Sequence, residues 1–167
     1  EVVEVSAIAN NNLDELLKKT VSALNELPPK QNKNDPLECT KEQFLALYDE
    51  ALADNKADKF IIANFLGISS AVAREISYRA CGDIDVTLRN CSCEKLYNAF
   101  CEIIDHIKSN EYHPSTVFDG ECAVEYAFCR LTHYKGLEIK DFDSPSKMID
   151  TYYESRDREV RVKQKAT

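Results

Sequence analysis

FLGISSAVAREI, residues 65–76, is the stretch on which the fold turns. An apolar pair, Phe65 and Leu66, ends one helix. Gly67 then makes a tight turn, and Ile68 follows as an aliphatic plug for the core. A second helix starts at Ser69 or Ser70, with Val72, Ala73, Ile76 and Ala80 facing inward. Gly82 closes it, as glycine does at helix ends. This is the layout of a helix-hairpin-helix motif. Amides at the second helix's start have no partner inside the helix, and Gly67 puts no side chain in front of them. Aided by the helix dipole, such amides can grip a phosphate. The candidate contacts are Gly67, Ile68, Ser69 and Ser70, with charge from Arg74 and Arg79. Glu75 lies between the two arginines and leaves a net of +1. The other reading is a helical corner that needs glycine and binds nothing. Residues 40–66, with five acids and three bases, favour that second reading.

Working outward, residues 40–110 read as almost pure helix. Thr40 with Gln43 makes a capping box, and Phe44, Leu45, Tyr48 and Leu52 line one face of the helix it starts. A second helix begins near Asp58, with Phe60 and Ile61 apolar. After Gly82 the segment DIDVTL, residues 83–88, is extended. Ser92 can cap the next helix, where Leu96, Phe100, Ile103, Ile104 and Ile107 make a core-facing stripe. From His113 the period changes. Residues 122–131 and 137–142 read as strands, with turns at Asp119-Gly120 and Lys135-Gly136. Ser144-Pro145 starts a last helix, buried through Met148, Ile149, Tyr152 and Tyr153 and exposed at Val160 and Val162. Upstream, EVVEVSA suggests a short strand, and Leu13, Leu16, Leu17, Val21 and Leu24 a helix. The proline-bearing LPPKQNKNDP, residues 27–36, is a linker. The expected class is α+β, mainly α. The expected divisions are a leader and linker (1–36), a helical domain (37–112), a small antiparallel strand unit (113–143) and a helix leading into a coiled coil (144–167).

The 167 residues carry 44% apolar and 30% charged side chains, which is ordinary globular composition. Disorder over the whole length and a collagen-like or loop-built scaffold are excluded, and no apolar run could span a membrane. The net charge of −8 argues against a domain that coats nucleic acid non-specifically, though not against a local basic patch. The chain starts at Glu1, its single Met is Met148, and no signal peptide is evident before Asn10, so it reads as an internal piece of a longer protein.

Three further features bear on chemistry. RLTHYKG, residues 130–136, places His133 and Lys135 beside Arg130 and Tyr134, a basic and aromatic mix that RNA contacts use. The alternative is an ordinary solvated turn. The last helix carries Arg156, Arg158, Arg161, Lys163 and Lys165 against Glu154, Asp157 and Glu159, which suits either phosphate contact or a solvated face. Seven cysteines show no framework spacing. Cys91 and Cys93 form C-x-C rather than C-x-x-C, and Cys101 with His106 is a poor start for a metal site, so the thiols read as core residues of a reducing cytosol. No phosphate-binding glycine loop, zinc-protease motif or nucleophile elbow is present. No catalytic residue, metal, cofactor or small-molecule substrate is expected.

Several segments together resemble the amino-terminal region of the NFACT family, known in bacteria as fibronectin-binding protein A. They are LPPKQNKNDPL (27–37), NFLGISSAVAREISYRA (64–80) and LTHYKGLEIKDFDSPSKMIDTYYESRDREVRVKQKA (131–166). The resemblance covers about residues 27–166; residues 1–26 do not carry it. It implies a helix-hairpin-helix domain, a strand pair, a helix and the start of a long coiled coil. It implies cytoplasmic ribosome quality control, in which tRNA and a large ribosomal subunit with a stalled chain are bound and the chain receives a C-terminal tail. The family's second name implies an alternative, adhesion to fibronectin. A third possibility is a spacer that only sets the angle of the coiled coil.

Overall fold

The computed structural model describes residues 32–165, and those from Lys33 onward belong to one compact unit. The expected amino-terminal strand and helix lie outside the described residues. Thr40 Oγ1 accepts the Gln43 amide at 3.2 Å, and the Gln43 side chain accepts the Thr40 amide at 3.1 Å, so the capping box starts α1, Lys41–Glu50. Ala51 is already extended, which puts Leu52 past the helix end and in solvent rather than on the apolar face. Helix α2, Ala57–Asn64, and helix α3, Ser70–Cys81, flank the glycine turn. Ser69 caps α3 by accepting the Val72 amide, and Gly82 ends it at φ 73°. Between α3 and the next helix the extended segment pairs back on α2. The Ala57 amide bonds to Val86 O at 2.9 Å, ahead of a 3-10 turn at Leu88–Asn90.

Helix α4, Cys93–Lys108, buries Leu96, Phe100, Ile103 and Ile104 of the stripe read from the sequence, together with Ala99, while Ile107 is half-buried. Ser92 stands at its cap position, but its side chain makes no capping bond. The centre of the core is Phe44, whose ring lies within 5.2–5.8 Å of the rings of Phe60, Phe65, Tyr97 and Phe100. Aromatic pairs at such separations add to simple area burial.

The strand region departs from expectation. It holds three strands: β1 Ser115–Asp119, β2 Cys122–Ala127 and β3 Glu138–Asp141, in the order β2-β1-β3 and antiparallel throughout. The sequence reading misses β1, which is central. Its residues Ser115 to Phe118 are all buried, so it shows no alternation. Two of those buried residues are polar, which hides it further. β2 and β3 are therefore not a hairpin pair. The Lys135-Gly136 turn belongs to a crossover that carries the chain past β1. The Asp119-Gly120 turn does join a hairpin, β1 to β2.

Val117, Ala127, Cys129 and Leu131 share one apolar cluster with the helices, so the sheet caps the helical core. Helix α5, Pro145–Lys165, packs on β2. Ser155 fastens it: its hydroxyl accepts the Ala123 amide and donates to Glu121 O, both at 2.9 Å. Met148 is buried as expected, but Ile149 and Tyr153 are exposed, because only one narrow face of α5 meets the sheet. Among the described residues no helix is long and apolar enough to cross a membrane.

Candidate nucleic-acid interface

The turn between α2 and α3 is built by three devices. Phe65 is buried and anchors the end of α2. Gly67 adopts φ 71°, a left-handed conformation that a side chain would strain. Asn34 clamps the turn from the preceding segment: its amide donates to Asn64 O at 2.8 Å, and Asn34 O accepts the Leu66 amide at 3.0 Å. Of the apolar pair that ends the helix, Phe65 is buried and Leu66 is 54% exposed. Ile68 packs against the core at the turn's far side.

This leaves the backbone of the turn open. The amides of Gly67, Ile68, Ser69, Ser70 and Ala71 donate to no acceptor among the described residues. Gly67, Ser69 and Ser70 are exposed, and a Cβ placed on Gly67 would meet nothing within 4 Å. These amides end at the positive pole of a 12-residue helix. Arg74, one turn further along, is exposed and only loosely paired, its Nε 3.9 Å from Asp58 Oδ2.

The other two basic candidates have different surroundings. Arg79 donates from Nε to Glu75 (2.8 Å), from one terminal nitrogen to Glu102 (2.7 Å) and from the other to Arg130 O (3.0 Å). His133 has a side chain only 3% exposed, with Nδ1 at 2.8 Å from Glu75 Oε2. A carboxylate only accepts, so Nδ1 carries the proton. Lys135 is exposed, with Nζ 5.3 Å from the Tyr78 ring centre. The structure thus brings Gly67 to Ser70 and Arg74 together at one end of α3. It places Arg79, His133 and Lys135 around the helix's second half.

Glu75 organises that second half. It is fully buried and accepts five hydrogen bonds, from Arg79, the Thr132 amide and hydroxyl, and the His133 amide and ring. Burial alone would push its carboxyl up. The bonds from His133, Arg79 and Thr132, with the charge of Arg79, outweigh burial and hold it at about 2. The sequence reading counted Glu75 only as an offset to two arginines. A usable signal was present: Val72, Glu75, Ile76 and Arg79 fall at i, i+3, i+4 and i+7, so an acid and a base share the apolar face. Asn34 left no such signal inside a polar linker.

The thiols form no metal centre among the described residues. Cys81 and Cys91 touch at 2.7 Å between sulfurs, and burial followed by the Cys81 contact pushes the Cys91 thiol up to about 12. A thiol so reluctant to ionise is a poor nucleophile and a poor ligand.

The family is decided by comparison with known proteins. Residues 22–167 match the NFACT N-terminal and middle domains. The chain belongs to the NFACT family. A similar protein, the Rqc2 homolog RqcH of Bacillus subtilis (strain 168), is 32% identical over 143 residues. That match takes in 84% of this chain and 23% of RqcH, so the chain spans about a quarter of its relative. The NFACT match runs through the linker, both helices of the turn, the sheet and α5.

Proposed function

We propose that this chain forms an RNA-facing surface of a cytoplasmic ribosome quality-control factor, and that the α2–turn–α3 unit acts as a helix-hairpin-helix. It contacts tRNA or the large ribosomal subunit, and the parent protein promotes C-terminal tailing of stalled chains. The chain itself performs no catalysis and needs no cofactor. Membership of the NFACT family and the likeness to a protein named as an Rqc2 homolog support the ribosomal setting. The observation that carries the RNA contact is the run of five unspent amides from Gly67 to Ala71, at a turn where Gly67, Ser69 and Ser70 are exposed beside Arg74. A phosphate satisfies such a group of donors; fibronectin, the partner implied by the family's other name, offers no comparable requirement. Arg79 and His133 brace α3 behind the turn rather than meeting the phosphate.

The test is fluorescence anisotropy of labelled tRNA titrated with the 167-residue chain across a salt series. Saturable binding that weakens as salt rises is expected. Absence of binding at low salt sinks the reading and favours a spacer. Salt-insensitive capture of fibronectin in place of tRNA favours the adhesive alternative.

A further inference from the structure

A pocket of about 400 Å³ opens where the end of α4 meets the sheet. It is lined by His106, Tyr112, His113 and Phe142, by the guanidiniums of Arg79 and Arg130, and by Asp141 over a floor of buried Cys129. The local sequence builds it. Helix α4 ends with the Glu111 amide on His106 O (2.9 Å) and the Asn110 amide on Ile107 O (3.2 Å). Asn110 supplies the left-handed residue that this helix ending needs, at φ 56°. The chain therefore doubles back and sets His113 beside His106, with ring centres 5.2 Å apart and planes perpendicular. The His113 amide is pinned to Phe128 O at 3.0 Å, and the Phe142 amide to Pro114 O at 2.9 Å.

The charges in this pocket are already matched. Arg79 is held by Glu75 and Glu102, and Arg130 by Asp141. The Cys129 thiol, pushed up to about 12 by burial, adds no charge. A free phosphate therefore finds little surplus attraction. What remains unspent is aromatic surface and polar edges. Neither imidazole ring of His106 and His113 makes a hydrogen bond among the described residues. The Arg130–Asp141 pair sets donors and acceptors side by side. Stacking faces with mixed edge groups are what holds an unstacked base. The volume is at the small end of ligand pockets, enough for one planar group.

We infer that this pocket accepts a single unpaired nucleobase, stacked on Tyr112 and His113 and read at its edge by Arg130 and Asp141. The inference rests on the RNA reading above and gives it a base-binding element. Arg79 lies nine residues after Ser70 on α3, so base pocket and phosphate turn are separated by roughly 13 Å of helix rise. A strand with unpaired residues would engage both; a duplex would engage the turn alone.

The experiment uses two labelled probes, a mixed-sequence single-stranded RNA 12-mer containing 4-thiouridine and a fully paired RNA duplex of the same length. Tyr112→Ala and Arg130→Ala should each weaken single-strand binding about tenfold, within the usual worth of one stacked base. Duplex binding should stay unchanged, which also shows that the variants fold. Photocrosslinks should map to residues 106–113 or 128–142. Single-strand binding that ignores both substitutions, or crosslinks confined to other segments, overturns the pocket and leaves the RNA reading standing. Failure of the wild-type chain to bind either probe overturns both.

Discussion

Two ends of the same helix differ in what their polar groups still have to give. At the start of α3, five amides have no acceptor among the described residues, Gly67, Ser69 and Ser70 are exposed, and the Arg74 guanidinium is only loosely paired. Five residues into α3, Glu75 collects five hydrogen bonds, and Arg79 spends its donors on three different elements. Both ends look basic in sequence. Only the first has donors free for a ligand, because the second uses its charges to tie α3 to α4 and to the crossover after β2. A count of arginines near a motif therefore overstates the binding surface. The useful quantity is the number of unsatisfied donors.

The strongest way to break this contrast is Glu75→Gln. It keeps the shape but removes the charge that Arg79 and His133 face, and the amide cannot accept every bond that the carboxylate does. Disrupting one side of a buried ionic network costs about 3–5 kcal/mol. We expect a thermal midpoint lowered by roughly ten degrees or more and tRNA affinity unchanged where the chain remains folded. A variant as stable as wild type would show that Glu75 is not a structural tie.

The pH dependence sharpens the same point. The Glu75 carboxyl is held at about 2 in the folded chain, below its ordinary 4.5. A lowered folded value means the stabilisation is complete above the unfolded value. It is lost as pH falls from about 4.5 towards 2, and it is worth about 3 kcal/mol when complete. Urea midpoints of wild type and Glu75→Gln should converge across that window. A gap that persists unchanged to pH 2 would mean that the charge is not its source.

These contrasts were unequally legible in the sequence. Local rules carried the helices: the Thr40–Gln43 box, the α4 stripe from Leu96 to Ile104 and the glycines at 67 and 82 each act within a few residues. What was not legible depends on partners far away in the chain. β1 is covered on both faces, by the helical core and by α5, so its alternation vanishes. Asn34 matters through a segment 30 residues on. Glu75 is defined by Thr132 and His133, 57 and 58 residues away. The Gly67 turn was visible as a motif because its geometry is local. The pocket at the end of α4 was invisible because Tyr112, Arg130 and Asp141 converge only after the sheet forms.

At the open end of α3 the expected effects are smaller in stability and larger in binding. Gly67→Val forces a β-branched side chain into a left-handed conformation at a cost of about 1–2 kcal/mol. Chemical denaturation measures that loss. Because the space beyond Gly67 is empty, the new side chain would stand in the ligand's path rather than clash with the fold. tRNA affinity should fall at every salt concentration. Equal affinity in a folded variant would remove the turn from the interface.

Arg74→Ala isolates the charge from the backbone. Its contact with Asp58 is long and the side chain is half exposed, so stability should move by less than about 0.5 kcal/mol. If Arg74 meets a phosphate, the slope of log affinity against log salt should fall by about one, with a several-fold weaker affinity at low salt. Arg79→Ala should do the reverse, lowering the unfolding midpoint while leaving the salt slope as it was. Two arginines five residues apart on one helix would then separate into a ligand contact and a structural tie. An identical salt slope for wild type and Arg74→Ala would place the phosphate on the backbone amides alone.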